Sequence, residues 1–206
     1  MTVQIGCIVE GHGEVEAVPI LIRRVAERLY PELGIDTPHP IRVSRSKVVQ
    51  KNELERVVDL AARNIKGQGA IFIILDSDND CPAQLGPVLL CRARQVRSAL
   101  PIAVVLAKHE FESWFLAAAE SLSGHRGLKN DLQSPSNPEG ISGAKEWLKQ
   151  QMESDETYRE TLDQPGLTAR FDLDQARQVD SFDKCYRDIT RLLNELQKAR
   201  DIQPAR

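Results

Sequence analysis

Aromatic residues make up only 5% of this chain. That scarcity argues against single-strand nucleic-acid binding by base stacking. No apolar run approaches the ~20 residues needed to span a bilayer, so no membrane partner is expected. The four cysteines (Cys7, Cys81, Cys91 and Cys185) are scattered, with neither a CxxC pair nor metal-like spacing. Cys7 and Cys91 fall in apolar runs and read as small buried hydrophobes. Without a disulfide framework, a reducing, cytoplasmic compartment is the expectation. The opening MTVQIGCIVEG enters a strand with no basic n-region or cleavage site, so no signal peptide is expected. Excess positive charge is missing too: a net charge of -3 and a pI near 5.9 exclude a generally basic nucleic-acid coat. Local basic patches facing phosphate stay open.

What is present is ordinary in bulk and informative in pattern. At 206 residues with 41% hydrophobic content, the chain is long enough for one good core. Three hydrophobic runs each stop at an acid: IGCIVE at Glu10, AIFIILD at Asp76 and IAVVLAKHE at Glu110. Acids number 30 of 206 residues, so three chosen positions are all acidic by chance with probability ~0.003. Strand ends and helix starts favour polar residues, which discounts that figure. In an alternating strand–helix fold the carboxyl ends of parallel strands share one rim, and acids there converge into an oxygen-lined basin.

The spacing supports that fold. Val3–Val9 reads as a buried strand, and Val18, Leu21, Ile22, Val25 and Leu29 follow at helical spacing. Pro19 leaves two options, an irregular lead-in holding Glu14 and Glu16 or a helix bent there. A short strand is expected near Ile41–Ser44, then a helix from Leu54 to Ile65 ended by Gly67. Ala70–Asp76 is the clearest central strand. Leu85 to Leu100 marks a helix, Ile102–Ala107 a strand, and Phe111, Trp114, Phe115 and Ala118 another helical face. The pattern is α/β, a mostly parallel sheet flanked by helices. It predicts a core over 1–120, a Gly/Ser/Pro/Asn-rich loop or linker over 121–143, and a helical extension over 144–206 packed on the core. Within the extension, Ala144 to Gln151 and Phe182 to Leu196 read as helices, the second capped by Ser181.

Several familiar templates fail. Glu10-Gly11-His12-Gly13-Glu14 lacks the Gly-Lys-Ser/Thr of a P-loop and the third glycine of a dinucleotide fingerprint. Its glycines read as a tight turn that presents Glu10. Glu14 and Glu16 also suit a helix N-terminus. Asp76-Ser77-Asp78-Asn79-Asp80 starts like a calcium loop, but Cys81 and Pro87 replace the required glycine and glutamate. What remains is a carboxylate pair two residues apart at a strand end, an oxygen donor set suited to Mg²⁺ or Mn²⁺. In Lys108-His109-Glu110-Phe111-Glu112 the two acids sit at a helix start, and the segment is not HExxH. Lys108 stabilises phosphoryl charge if it faces the basin. Arg42, Arg45 and Lys47 follow a strand end and are candidate phosphate contacts; Arg92, Arg94 and Arg97 read as a solvated face.

With those residues in view, the chain resembles a Toprim domain over about Met1–Glu120. Glu10 in VEGHGEVEA and Asp76/Asp78 in IILDSDND match that fold's glutamate and DxD, which bind Mg²⁺. It also resembles, over nearly its whole length, an uncharacterised Toprim-related family, domain-of-unknown-function family 4276. KHEFESWFLA at Lys108–Ala117 and VDSFDK at Val179–Lys184 carry that likeness. Toprim relatives cut, join or polymerise nucleic acids, and some nuclease members work beside a partner ATPase. Nothing here resembles the tyrosine-bearing domain of topoisomerases or a priming domain.

The expectation is therefore an Mg²⁺- or Mn²⁺-dependent phosphodiester hydrolase, nuclease-like, acting on DNA or RNA. Asp76, Asp78, Glu10 and Glu110 would hold metal; Glu10, Glu14 and Lys108 would serve catalysis; Arg42, Arg45 and Lys47 would contact phosphate. The alternative is a non-catalytic subunit docked on an ATPase in a defence or toxin system. A third, smaller option is a phosphatase acting on small phosphomonoesters.

Overall fold

A computed structural model describes residues 2–202 of the chain. Residues 1 and 203–206, which bound the expected core and extension, lie outside the described residues. Five parallel strands form one sheet: β1 (Thr2–Val9), β2 (Gly34–Asp36), β3 (Ile41–Arg42), β4 (Gly69–Asp76) and β5 (Ile102–Ala107). The strand order is β2-β1-β4-β5, with β3 also pairing with β1. This is the expected α/β class. β4 and β5 are buried on both faces along nearly their whole length, so their sequences run apolar without alternation. β2 was not foreseen, and β3 is shorter than expected. Both are edge strands of two or three residues, too short to carry a period.

Helices cover both faces. On one side lie α2 (Arg45–Val48), α3 (Glu53–Asn64) and α4 (Pro82–Val96). The opposite core gathers α1 (Glu14–Leu29), α5 (Ser113–Ala117), α6 (Ala144–Gln150), α7 (Glu160–Thr168), α8 (Leu173–Ala176) and α9 (Asp180–Ile202). α1 runs unbroken through Pro19, so Glu14 and Glu16 occupy its first turn, beside the positive end of the helix dipole. Residues 121–143 are no free tether. Leu122, Leu128 and Leu132 are buried in the same core, and short 3₁₀ turns at Ala119–Leu122 and Pro138–Gly140 frame the segment. Of the cysteines read as buried, Cys7 is, whereas Cys91 is exposed on α4. No helix among the described residues is long and apolar enough to cross a membrane.

Five aromatic rings fasten α5, the link between α7 and α8, and α9 together. Phe111–Trp114, Trp114–Phe182, Phe182–Phe171, Phe171–Phe115 and Phe115–Phe111 stand 4.6–5.6 Å apart and close a circuit, mostly edge to face. Much of KHEFESWFLA and VDSFDK is therefore core. Ser181 does not cap α9. It lies in the first turn, where its hydroxyl accepts from the Trp114 indole N–H (2.7 Å) and the Lys108 N–H (3.2 Å).

β5 is an open edge, and α9 guards it. Ile71 N–H donates to Pro101 O and Ser77 N–H to Ala107 O, so the odd-numbered peptides of β5 face β4. The even-numbered ones face outward. Arg191 Nη2 donates to Ile102 O and Lys184 Nζ to Val104 O, both at 2.9 Å. Cationic side chains on an edge block strand addition from another chain.

Candidate active site

The chain runs from β1 outward to β2 and β3, then crosses to β4 on the other side of β1. The gap between β1 and β4 is thus the topological switch point, where an open α/β sheet leaves a crevice at its carboxyl rim. Glu10 and Asp76 follow from those two strand ends and meet there. Glu10 Oε2 accepts the Asp76 N–H (3.3 Å) and Oε1 accepts the Arg45 N–H (3.1 Å). Glu14, one turn on, is 2% exposed and accepts the Glu10 N–H at 2.9 Å. Asp76 Oδ1 accepts the Phe111 N–H at 2.8 Å. Among the described residues, neither Glu10 nor Asp76 is paired to a cation.

Crowding these acids has an electrostatic cost. Burial pushes the Asp76 carboxyl well above its ordinary range, and Glu14 and Glu112 push it further, against Lys145. Asp76 itself is partly exposed. Burial raises Glu14 to about 7, with the Glu10 charge adding to the shift. Glu10 is raised by burial as well, although backbone N–H groups of Arg45 and Asp76 pull the other way.

Glu112, read from sequence as an ordinary helix-start acid, is fully buried. Its Oε1 accepts from Tyr158 Oη (2.8 Å) and Gln164 Nε2 (3.2 Å); Oε2 has no hydrogen-bond partner among the described residues. Burial pushes Glu112 up to about 8, although Lys145 opposes it. The Lys145 ammonium lies 3.9 Å from Glu112 and 3.2 Å from Glu160. Burial alone would depress Lys145, but Glu112, Glu160 and Asp76 raise it. For Glu160 burial works upward, and Lys145 prevails to hold the carboxyl below its ordinary value. The ammonium thus stands closer to Glu160 than to Glu112, whose burial still raises it. Lys145, Tyr158, Glu160 and Gln164 carry no local sequence signal, because α6 and α7 reach the acids only through tertiary packing.

That packing explains the two glycines. Neither has a positive φ, so no left-handed turn is involved. A Cβ on Gly13 would lie 2.6 Å from Glu160 O and closer still to Gln164 Oε1; one on Gly11 would lie 2.9 Å from Glu160 Oε1. The chain bends and turns through Glu10–Gly13 as expected, and the glycines also let α7 press against the start of α1. Gly13→Ala is expected to cost about 1–3 kcal/mol by overpacking. A chemical-denaturation midpoint unchanged from wild type would rule this out.

Above the buried acids is a cleft of about 440 Å³ walled by Arg45, Asp78, Asn79, His109, Glu110 and Gly143, among others. Asp78 (φ 47) and His109 (φ 59) both adopt the left-handed region, which side chains other than glycine seldom enter. They brace each other: Asp78 N–H donates to His109 O (3.2 Å), and His109 Nδ1 lies 2.9 Å from Asp78 O. Such strain collects where neighbouring structure over-determines it, functional sites above all. Arg45 bonds Asp78 (3.1 Å) and also pairs with Asp80, so its guanidinium is engaged. Glu110 Oε2 accepts the Lys145 N–H at 3.1 Å. Arg42 and Lys47 are exposed nearby. Lys108 lines a different cavity, beside β5. Arg92, expected on a solvated face, instead ties α4 to Glu55 and to the Gln50 carbonyl.

A family model described as Domain of unknown function (DUF4276) matches residues 9–190. The chain belongs to this family. Neither a curated protein nor a solved structure matches it. The DUF4276 match takes in the acids at all three strand ends, the aromatic circuit, and α6 and α7 with Lys145 and Glu160.

The chemistry of the donors fits a hard divalent cation: Glu10, Asp76, Asp78 and Glu110 offer only oxygen. In this arrangement, however, no three His, Cys, Asp or Glu residues among those described stand as an ion-binding group. Glu10, Glu14 and Asp76 are each turned onto a backbone N–H instead.

Proposed function

We propose that the protein is an Mg²⁺- or Mn²⁺-dependent phosphodiester hydrolase of Toprim type, acting as a nuclease on DNA or RNA. What supports this reading above all is the meeting of Glu10 and Asp76 at the switch point, with pKa values raised by burial and mutual repulsion. Glu10, Asp76, Asp78 and Glu110 would hold the ion, Asp78 exchanging Arg45 for it. When bound, the ion supplies Lewis acidity to a phosphate oxygen and lowers the pKa of an attacking water. Glu10 takes the proton of that water at a carboxylate oxygen. Glu14, pushed up to about 7, would steady Glu10 through the Glu10 N–H, and the leaving oxygen would take its proton from solvent water. Arg45, once released by Asp78 and Asp80, turns to the phosphate, and exposed Arg42 and Lys47 meet its neighbours along the strand.

Incubating the chain with plasmid, linear DNA and RNA in Mg²⁺ or Mn²⁺ tests the reading. Cleavage that EDTA abolishes is the expected result. No cleavage of any substrate, together with a melting temperature indifferent to millimolar metal, would sink it.

A second reading draws on the Arg45–Asp78 pair and the acids turned onto backbone N–H groups. Under it the chain is a non-catalytic subunit that docks on an ATPase of a defence or toxin system. Silence of the isolated chain, with cleavage or binding only once an ATPase partner is added, distinguishes it.

A further inference from the structure

The acids around the switch point divide into an outer and an inner group. Asp78 and Glu110 line the cleft, with Glu10 and Asp76 meeting beside them. Glu14, Glu112 and Glu160 form the inner group, brought together by α1, the start of α5, and α7. Glu14 and Glu112 are buried, and Glu160 Oε1 accepts the Gly13 N–H at 3.3 Å, at the foot of α1. Adjoining acid groups of this kind suit two cations about 3.5–4 Å apart, one on each side of a reacting phosphate.

One cation is already built into the inner group. The Lys145 ammonium lies 3.2 Å from Glu160 Oε2 and 3.9 Å from Glu112 Oε2. Its charge also acts on Glu14 and Asp76. That Glu112 oxygen is wholly buried and has no hydrogen-bond partner among the described residues, so the ammonium is the cation it faces. The Lys145 N–H donates to Glu110 Oε2 at 3.1 Å, which fixes the start of α6 between the two groups. The outer acids differ. Glu10, Asp76 and Glu110 enter no ion pair among the described residues, and exposed Asp78 shares Arg45 with Asp80. An ammonium supplies charge and three N–H donors to carboxylates, but it cannot turn a bound water into hydroxide as a metal does.

We propose that Lys145 is a built-in counter-ion that fills the inner cation position, so that the protein takes a single divalent ion, on the cleft side. The proposal rests on the hydrolase reading for the outer ion and goes beyond it in fixing the number of ions. By neutralising the inner acids, Lys145 keeps that ion from being drawn inward, away from a phosphate in the cleft. It is a positioning residue, since it acts through the carboxylates.

Counting bound Mn²⁺ by equilibrium dialysis tests this without turnover. Wild type is expected to bind about one ion per chain and Lys145→Met about two, the second replacing the ammonium. Lys145→Arg, which keeps the charge, should stay at about one. In EDTA, Lys145→Met should melt below wild type and regain most of the difference in millimolar Mn²⁺, a recovery that a merely structural tie would not show. The Lys145→Met/Glu112→Gln double variant covers the case in which Lys145→Met does not fold. It removes a buried acid along with its counter-ion, so it is expected to fold without metal and to bind about one ion. Two ions on wild type, a count unchanged in Lys145→Met, or a double variant no more stable than Lys145→Met overturns the proposal. If wild type binds none and Lys145→Met gains an ion, the hydrolase reading fails and the counter-ion role stands.

Discussion

Asp76→Asn is expected to lower metal-dependent cleavage by roughly 10²–10⁴-fold while leaving the metal-free fold intact. Such a separation between activity and stability follows from the state of the carboxyl. Burial first, and Glu14 and Glu112 where they ionise, favour the protonated form of Asp76. Asparagine has the shape of that protonated acid, and its carbonyl oxygen still accepts the Phe111 N–H as Oδ1 does. The unfavourable charge is absent from the variant at every pH. Its metal-free melting temperature should therefore equal or exceed that of wild type at about pH 8. The gain in melting temperature that Mg²⁺ gives wild type should shrink, because asparagine cannot give up a proton to become an anionic ligand. A variant that melts early, or that still cleaves at the wild-type rate, would contradict the role given to Asp76.

Metal-free protein is expected to lose stability steadily as pH rises from about 5 to about 8, the reverse of the usual acid sensitivity. Glu112 is raised from 4.5 to about 8 and Glu14 from 4.5 to about 7. Each folded-state pKa is above its unfolded value, so the folded protein binds protons that the unfolded chain releases. The contribution is complete below pH ~4.5 and lost as pH climbs through the folded values. With both acids almost wholly buried, the combined effect is on the order of 3 kcal/mol, after allowance for their coupling to Lys145. Glu160, held low by Lys145, contributes in the opposite sense, but its window lies below its ordinary value and outside this range. Glu112→Gln keeps an oxygen for Tyr158 and Gln164 and removes the titration, so it should flatten much of the slope. Urea midpoints measured in EDTA across this range check the prediction. A flat wild-type profile, or one rising toward pH 8, would show that these acids are ionised in the fold.

The two predictions concern one basin, yet its members were unequally visible beforehand. Glu10 and Asp76 stand at the ends of apolar runs, and a run buried on both faces announces a parallel strand without any tertiary knowledge. β4 and β5 were accordingly placed to within a residue. Glu112 had the opposite fate. An acid two residues past Glu110 at a helix start has every reason to be solvated, and only the arrival of Tyr158, Gln164 and Lys145 makes it a buried proton-holder. The glycines of EGHGE show the same limit in part: their turn was legible, but their close approach to α7, about 150 residues away in sequence and touching in space, was not.

Local patterning by itself determined the parallel α/β architecture, the rim on which the acids gather, and the oxygen-only character of the donors. Those follow from periodicity and residue type, which act over a few positions of the chain. Tertiary structure alone decided which acids are buried, which arginine Asp78 holds, that Lys108 faces a cavity beside β5, and that one lysine must serve several carboxylates. Burial and charge coupling depend on distances through space, and a sequence records only distances along the chain.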